Sequence, residues 1–351
     1  MIHPFQFTII GENIHATRVL LRSGRHVVAD GDDEWLVFTD IEGVARRLPV
    51  PDWHKATPEY AAGRLKHVGM AIRTAMAEGP SADDAVAYLR VLAQRQIDAG
   101  AAYLDLNVDE LSPRLAEQKA AIRWLVRLVQ SWTTVPVAID SSHTEIIDAG
   151  LSAARPGSRP MLNSAALERR SALDLAVAIG GPVVVTATGA AGMPSDVAGR
   201  VANASAIVDA ALAKGIAIDD IFVDPLVFPI SVDDSFGSHT LAAMRTIRER
   251  YGPEIHVTGG MSNASFGIPG RRLLNDAFLR LAIDAGADSG IMDPVATDFA
   301  HVMTIDLDSA GYAMARDAIL GVDKSCRAFL RAYRAGAFAE HGVLPPARNV
   351  S

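Results

Sequence analysis

Polar residues with hydrogen-bonding side chains recur just after short apolar runs along this chain. They are Glu12 and Asn13, Asp105 and Asn107, Asp140, Asn163, Thr186 and Thr188, Asp224, Ser262 and Asn263, and Asp293. Carboxylates and carboxamides dominate the set, and lysine, cysteine and paired histidines are missing from it. A Schiff-base aldolase needs a lysine amine at such a position, so that chemistry is excluded. A two-metal hydrolase needs more ligands than His15 and His143, each of which reads as an ordinary loop histidine. No metal site is expected. What the set does suit is a neutral heterocycle rich in N–H donors. A carboxylate accepts two hydrogen bonds from an amino-pyrimidinone edge, and an amide donates and accepts side by side. A charge-assisted bond of this kind contributes about 1.5–3 kcal/mol. The simpler reading is that each residue caps a following helix, since Asp, Asn and Ser are favoured there. Capping alone does not explain why the residues fall at the ends of successive apolar runs.

Those runs are the elements that must position the chemistry. Phe7 to Asn13, Tyr103 to Val108, Pro136 to Asp140, Met161 to Ala165, Val183 to Thr188, Ile221 to Leu226, His256 to Gly260 and Ser289 to Pro294 have strand-like composition. Between them lie helix-length stretches: Pro113 to Trp132, Thr144 to Ala154, Glu168 to Ala178, Asp196 to Lys214, His239 to Tyr251, Arg271 to Ala285 and Asp308 to Tyr333. Alternation of this kind predicts parallel βαβ units. Eight strands, with no Gly-rich fingerprint after the first, favour a (β/α)8 TIM barrel over an open sheet. In a barrel the polar run ends gather at the C-terminal face, where active sites form. The chain is read as a single domain, 1–351, with an insertion at 20–57 after strand one and a C-terminal helical segment at 309–351. Within the insertion, two β-like runs flank Asp30-Gly31-Asp32-Asp33, a β-hairpin signal, and Pro49-Val50-Pro51 marks an extended exit.

Composition removes other classes. With 33 Lys+Arg against 41 Asp+Glu and a net charge of −8, the chain has no basic block for nucleic acid. Cys326 is the only cysteine, which excludes a disulfide framework and a cysteine-based zinc site. The N-terminal residues lack the pattern of a signal peptide. The longest apolar run, Leu175 to Ala190, is interrupted by Gly180, Gly181, Pro182 and Gly189 and is too short to span a bilayer. A cytoplasmic protein with no membrane partner is expected.

Six motifs taken together carry a resemblance. IIGEN (Ile9 to Asn13), LDLNV (Leu104 to Val108), AIDSS (Ala138 to Ser142), MLNSA (Met161 to Ala165), VDPL (Val223 to Leu226) and GGMSNASFGIPGRRLLNDAFL (Gly259 to Leu279) occur in an order and spacing similar to the pterin-binding barrel family. Within it the chain resembles the methyltetrahydrofolate:corrinoid methyltransferases, which share their fold with dihydropteroate synthase and the folate domain of cobalamin-dependent methionine synthase. The resemblance implies that Asp140, Asn163 and Asp224 bind the pterin ring edge, with Asp105 and Asn107 nearby. It implies that Asn263 reaches N5 as the catalytic donor, that Arg271 bounds the cleft, and that Glu12 is the strand-one acid of the substrate site. The 20–57 insertion and Thr186-Ala187-Thr188 depart from the family pattern.

The implied reaction moves a methyl group between N5 of tetrahydrofolate and the cobalt of a corrinoid. An amine is a poor leaving group, so N5 must gain a proton or a strong hydrogen bond as the methyl group departs. The corrinoid (cobalamin) must be carried by a separate protein: the nearest match to a corrinoid-binding motif, Asp52-Trp53-His54, has Thr57 where its glycine belongs. A homodimer is expected. Two alternatives stay open, a dihydropteroate synthase-like condensing enzyme and a non-catalytic pterin-binding protein. The first needs basic residues for a pyrophosphate leaving group, and MSNASFG has none.

Overall fold

The apolar runs become parallel strands because their β-branched and leucine side chains are covered on both faces, as parallel sheets require. The computed structural model describes residues 7–190 and 192–339. Its contacts divide it into two compact units.

The first unit comprises residues 10–164 and 178–181. It holds β1 (Thr8–His15, from Ile10), β2 (Leu20–Leu21), β3 (Val27–Asp30), β4 (Asp33–Thr39), β5 (Ala45–Pro49), β6 (Arg64–Leu65), β7 (Tyr103–Asn107), β8 (Val137–Asp140) and β9 (Met161–Ala165, to Ser164). Its helices are α1 (Asp52–Lys55), α2 (Pro58–Ala61), α3 (His67–Met76), α4 (Ala82–Asp98), α5 (Leu115–Trp132) and α6 (Thr144–Leu151). Strands β1, β7, β8 and β9 pair in parallel in that order.

The expected hairpin is present, with Asp30 opposite Asp33 and Gly31 at φ 64° in the first central position of the turn, where glycine relieves the strain of a type II′ geometry. A third strand that the sequence does not signal, β5, ends at Pro49 where the extended exit begins and pairs antiparallel with β4. The insertion is thus a three-stranded sheet with its own small core, Leu36 and Leu48. It is tied to α4 by the Phe38–Tyr88 ring contact and the Arg46–Asp84 ion pair at 3.1 Å.

The second unit comprises residues 1–9, 165–177 and 182–351, of which 7–9, 165–177 and 182–339, apart from 191, are described. It contains most of α7 (Ala172–Ile179), then β10 (Val183–Thr186), α8 (Val197–Ala213), β11 (Ile221–Asp224), α9 (Phe236–Tyr251), β12 (His256–Val257), α10 (Arg271–Asp284), β13 (Ser289–Met292), α11 (Phe299–Met303), α12 (Ala310–Ile319) and α13 (Arg327–Arg334). Strands β10, β11 and β12 pair in parallel.

The sheet order is β12-β11-β10-β9-β8-β7-β1-β13. Its two terminal strands are joined beyond β12 by a parallel bridge, Gly260 to Ile291, with Ile291 N donating to Gly259 O at 2.9 Å. The fold class is therefore the expected (β/α)8 barrel with a hairpin-bearing insertion after strand one. One expectation fails. Asp308 to Tyr333 is not one helix: Gly321 (φ 72°), Ser325 and Cys326, all with positive φ, break it into α12 and α13. The rest of the C-terminal segment, 340–351, lies outside the described residues. Among the described residues no helix is long and apolar enough to cross a membrane.

Candidate active site

Strand register explains why motifs far apart in the chain meet. In the first unit His15 lies opposite Asn107, Asn107 opposite Asp140, and Asp140 opposite Asn163, so four polar residues share one level of the parallel sheet. Asp105, two residues before Asn107, points to the same face one level below.

The side chains form one network. His15 Nε2 donates to Asp105 Oδ2 at 2.8 Å and stands 4.0 Å from Asp140 Oδ2. Asn163 Nδ2 donates to Asp105 Oδ1 at 3.3 Å, and Asn107 Nδ2 donates to Asp140 Oδ2 at 2.9 Å. Asn107 Oδ1 is also engaged, accepting from Asp109 N at 3.0 Å. Asp109 in turn accepts from Ser141 Oγ and from Ser142 N and Oγ, which gives the two serines of the AIDSS motif a loop-tying role. Asp105 is fully buried with both oxygens occupied. Oδ1 of Asp140 and Oδ1 of Asn163 carry no hydrogen bond among the described residues.

The electrostatics follow from this packing. Burial alone would lower the His15 pKa, but the Asp105 hydrogen bond and the charges of Asp105, Asp140 and Glu12 outweigh it and raise it to about 9. His15 is therefore imidazolium at neutral pH. The sequence reading of His15 as a loop residue is wrong, because β1 extends two residues beyond the expected Asn13 and carries it into the sheet. The ligand atoms of His15, Asp105 and Asp140 lie within 4.8 Å of one another, close enough for a cation. With His15 donating to Asp105, the cluster as it stands is a charged hydrogen-bond network. Asp140 is pushed up to about 7 by burial and then by the charge of Asp105, opposed by His15 and by the Asn107 hydrogen bond.

Two further residues of β1 are held nearby in the same unit. Glu12 pairs with Arg18 at 3.6 Å. Asn13 N donates to Gln96 Oε1 at 2.9 Å, and a Cβ at Gly11 would approach that same oxygen to 2.5 Å. The glycine of IIGEN is there to let Gln96 cross the strand.

In the second unit Asp224 ends β11 opposite Thr186 of β10, whose Oγ1 hydrogen-bonds Thr188 Oγ1 at 3.2 Å. Asp224 Oδ1 accepts from Leu226 N at 2.7 Å, across a turn in which Leu226 takes φ 71°. A buried cation on α8 braces that turn. Arg200 is wholly inaccessible, donates through Nη1 to the carbonyls of Pro225 and Leu226, and lies 4.6 Å from the centre of the Phe228 ring. Its Nε and Nη2 have no hydrogen-bond partner among the described residues. Burial pushes Asp224 up to about 6, against the Leu226 hydrogen bond and the Arg200 charge. Nothing in the sequence pattern singled out Arg200.

Asn263 closes the short 3-10 turn Met261–Asn263 after β12. Added Cβ atoms show how closely its surroundings approach: at Gly259 one would lie 3.3 Å from Asp224 Oδ1, and at Gly260 one would lie 2.7 Å from Asn263 Nδ2. A side chain at Gly259 would also meet Val227 Cγ2 at 2.8 Å, so the glycine pair leaves room for Val227, Asp224 and Asn263. Arg271 donates to Ser262 O at 2.8 Å and Ser265 Oγ at 3.0 Å, and so braces the Asn263 turn. Asp293 caps its own loop, accepting from Val295 N and Ala296 N.

Residues 78–293 match the family described as pterin binding enzyme. The chain is 31% identical over 257 residues to a methylcorrinoid:tetrahydrofolate methyltransferase of Eubacterium limosum, covering 71% of this chain and 88% of that protein. It is 30% identical over 217 residues to methionine synthase of Mycobacterium tuberculosis, covering 57% of this chain but 18% of that longer protein. Among solved structures, dihydropteroate synthase of Xanthomonas albilineans aligns with a TM-score of 0.50 at 20% identity, over 65% of this chain and 85% of that one, a likeness of fold.

Proposed function

This chain belongs to the pterin binding enzyme family, and from that premise we propose that it transfers a methyl group between N5 of tetrahydrofolate and a corrinoid held by a separate protein. The observation that carries this reading is the division of labour among the polar residues. Asp105 and Asn107 spend their hydrogen bonds on their neighbours, which leaves Asp140 Oδ1 and Asn163 Oδ1 as acceptors for ring N–H groups. Asp224 supplies a third acceptor, held in place by Leu226 N. Glu12, Asp105, Asn107 and Arg271 support the substrate site, and Asn263 is the catalytic donor.

Asn263 Nδ2 donates to N5, a hydrogen bond that strengthens as the methyl group departs and leaves the N–C electron pair on N5, which then takes a proton from water; in the reverse direction N5 gives up that proton and spends the pair on the incoming methyl group. The partner's corrinoid, when docked, supplies or accepts that group. A condensing enzyme of the dihydropteroate synthase kind fits less well. Arg271 spends Nε and Nη2 on Ser265 and Ser262, and the MSNASFG turn itself carries no basic residue for a pyrophosphate leaving group.

The test is to mix the purified chain with methyltetrahydrofolate and reduced cobalamin and follow the corrinoid spectrum. Catalysed formation of methylcobalamin is expected. Binding of the folate with no methyl transfer to either free or protein-bound corrinoid would overturn the proposal.

A further inference from the structure

Asp224 ends β11 half-buried, and burial already raises it to about 6. A ring bound to this carboxylate also covers it from water, and loss of water favours the neutral acid. A neutral carboxyl group presents an O–H where the ring presents N–H groups, so the acceptor needs a cation inside the protein to keep it charged.

Arg200 is placed to meet that need. From α8 it directs Nη1 at two carbonyls of the chain leaving β11, Pro225 O at 2.7 Å and Leu226 O. Leu226 in turn donates its own N–H to Asp224 Oδ1 at 2.7 Å. One residue thus takes the guanidinium on its carbonyl and orients the carboxylate with its amide. Thr240 Oγ1 of α9 donates to the same Leu226 carbonyl at 3.0 Å and steadies it from the other side. The rings of Phe228 and Phe236 lie 4.6 and 5.9 Å from the guanidinium carbon, an apolar flank that leaves the charge weakly screened. A guanidinium is not deprotonated in proteins, and among the described residues Arg200 enters no ion pair. Its charge is the one that opposes the burial of Asp224. The adjoining elements add none: β10 presents Thr186 and Thr188, and the turn after β12 carries Asn263. Asp196, the N-cap of α8, acts on Arg200 itself.

Resting on the function proposed above, we propose that Arg200 is the positioning residue of the Asp224 acceptor: through Leu226 it sets the direction of the carboxylate, and its unpaired charge holds that carboxylate ionised when a ring covers it. Arg200 touches no substrate. Its effect on binding passes wholly through Asp224 and the turn behind it, which is what separates this role from that of a buried residue needed only for the fold.

Two measurements test this: the carboxyl 13C resonance of Asp224, assigned with D224N, and titration calorimetry with tetrahydrofolate. R200Q keeps a hydrogen-bond donor and removes the charge, so the Asp224 midpoint should rise by about one pH unit from about 6. More of the acid is then neutral at a given pH, and near pH 6.5 tetrahydrofolate affinity should fall about threefold or more. In the D224N chain, where no carboxylate is left to act on, R200Q should cause no such loss. R200K keeps the charge but cannot reach both carbonyls as a fork, so the midpoint should stay near its native value and affinity should drop less than in R200Q. Melting temperatures check that each variant folds. An Asp224 midpoint unmoved by R200Q, an equal affinity loss from R200Q in the native and D224N chains, or a midpoint displaced upward by R200K would overturn the assignment, and the last needs only the milder variant to fold. A native chain that binds no tetrahydrofolate would overturn the pterin reading instead, and the carboxyl titration would still decide the coupling of Arg200 to Asp224.

Discussion

Replacing His15 by Gln removes a cation wedged between two carboxylates and leaves a side chain of similar reach. His15 is 15% exposed and Asp105 is not exposed at all, so solvent screens the pair weakly. Raising a histidine from 6.5 to about 9 on folding corresponds to roughly 3 kcal/mol of stability. The sign follows from the direction of the change. A raised histidine pKa means that the native state holds the proton more tightly, so the contribution is complete below 6.5 and disappears as pH rises through about 9. Urea unfolding of native and H15Q chains should therefore differ by about 3 kcal/mol near pH 6 and converge toward pH 10. The imidazole C2–H resonance of His15 should titrate with a midpoint near 9. A midpoint near 6.5, or a stability difference that does not change with pH, would refute the charged network. The substitution should also push Asp140 further up, because the His15 charge that opposes its burial is gone. Tetrahydrofolate binding at neutral pH should then weaken.

In the native chain, ring binding needs ionised Asp140, so tetrahydrofolate affinity should fall as pH drops through about 7, and D140N should flatten that dependence while weakening binding at higher pH. Asp224→Ala should weaken tetrahydrofolate binding by at least about 1.5 kcal/mol in calorimetry, by loss of a charge-assisted acceptor. Asn263→Ala should lower the methyl-transfer rate on the order of 10²-fold while changing folate affinity much less; equal losses would make Asn263 a binding residue only. Gly11→Ala should displace Gln96 from Asn13 N and cost about 1–2 kcal/mol, read as a lower urea midpoint. Deleting Val27 to Phe38 should cost stability before it affects any partner, since it strips Leu36 and the Phe38–Tyr88 contact, and a thermal melt reads this directly.

Period and composition alone were enough to read the parallel strands, the helices between them and the hairpin of the insertion. These depend on neighbours in the chain: β-branched runs ending in a polar residue, helix-length stretches, and Asp-Gly between two β-rich runs. The polar run ends were legible for the same reason: Asn107, Asp140 and Asp224 end their strands, Asn263 lies in the turn after β12, and Asp105 and Asn163 sit two residues before a strand end. Their separate roles were not. That Asp105 and Asn107 are consumed internally, leaving Asp140 and Asn163 with open acceptors, depends on the register among β1, β7, β8 and β9, which no single segment encodes. The same holds for His15, an ordinary histidine in sequence, whose charge is set by two carboxylates distant in the chain and close in space. Arg200 was invisible because nothing local distinguishes a helix arginine that faces solvent from one buried under the Asp224 turn. Burial and charge–charge distance are properties of the packed chain, and it was packing that turned a list of polar residues into acceptors, braces and one buried ion pair.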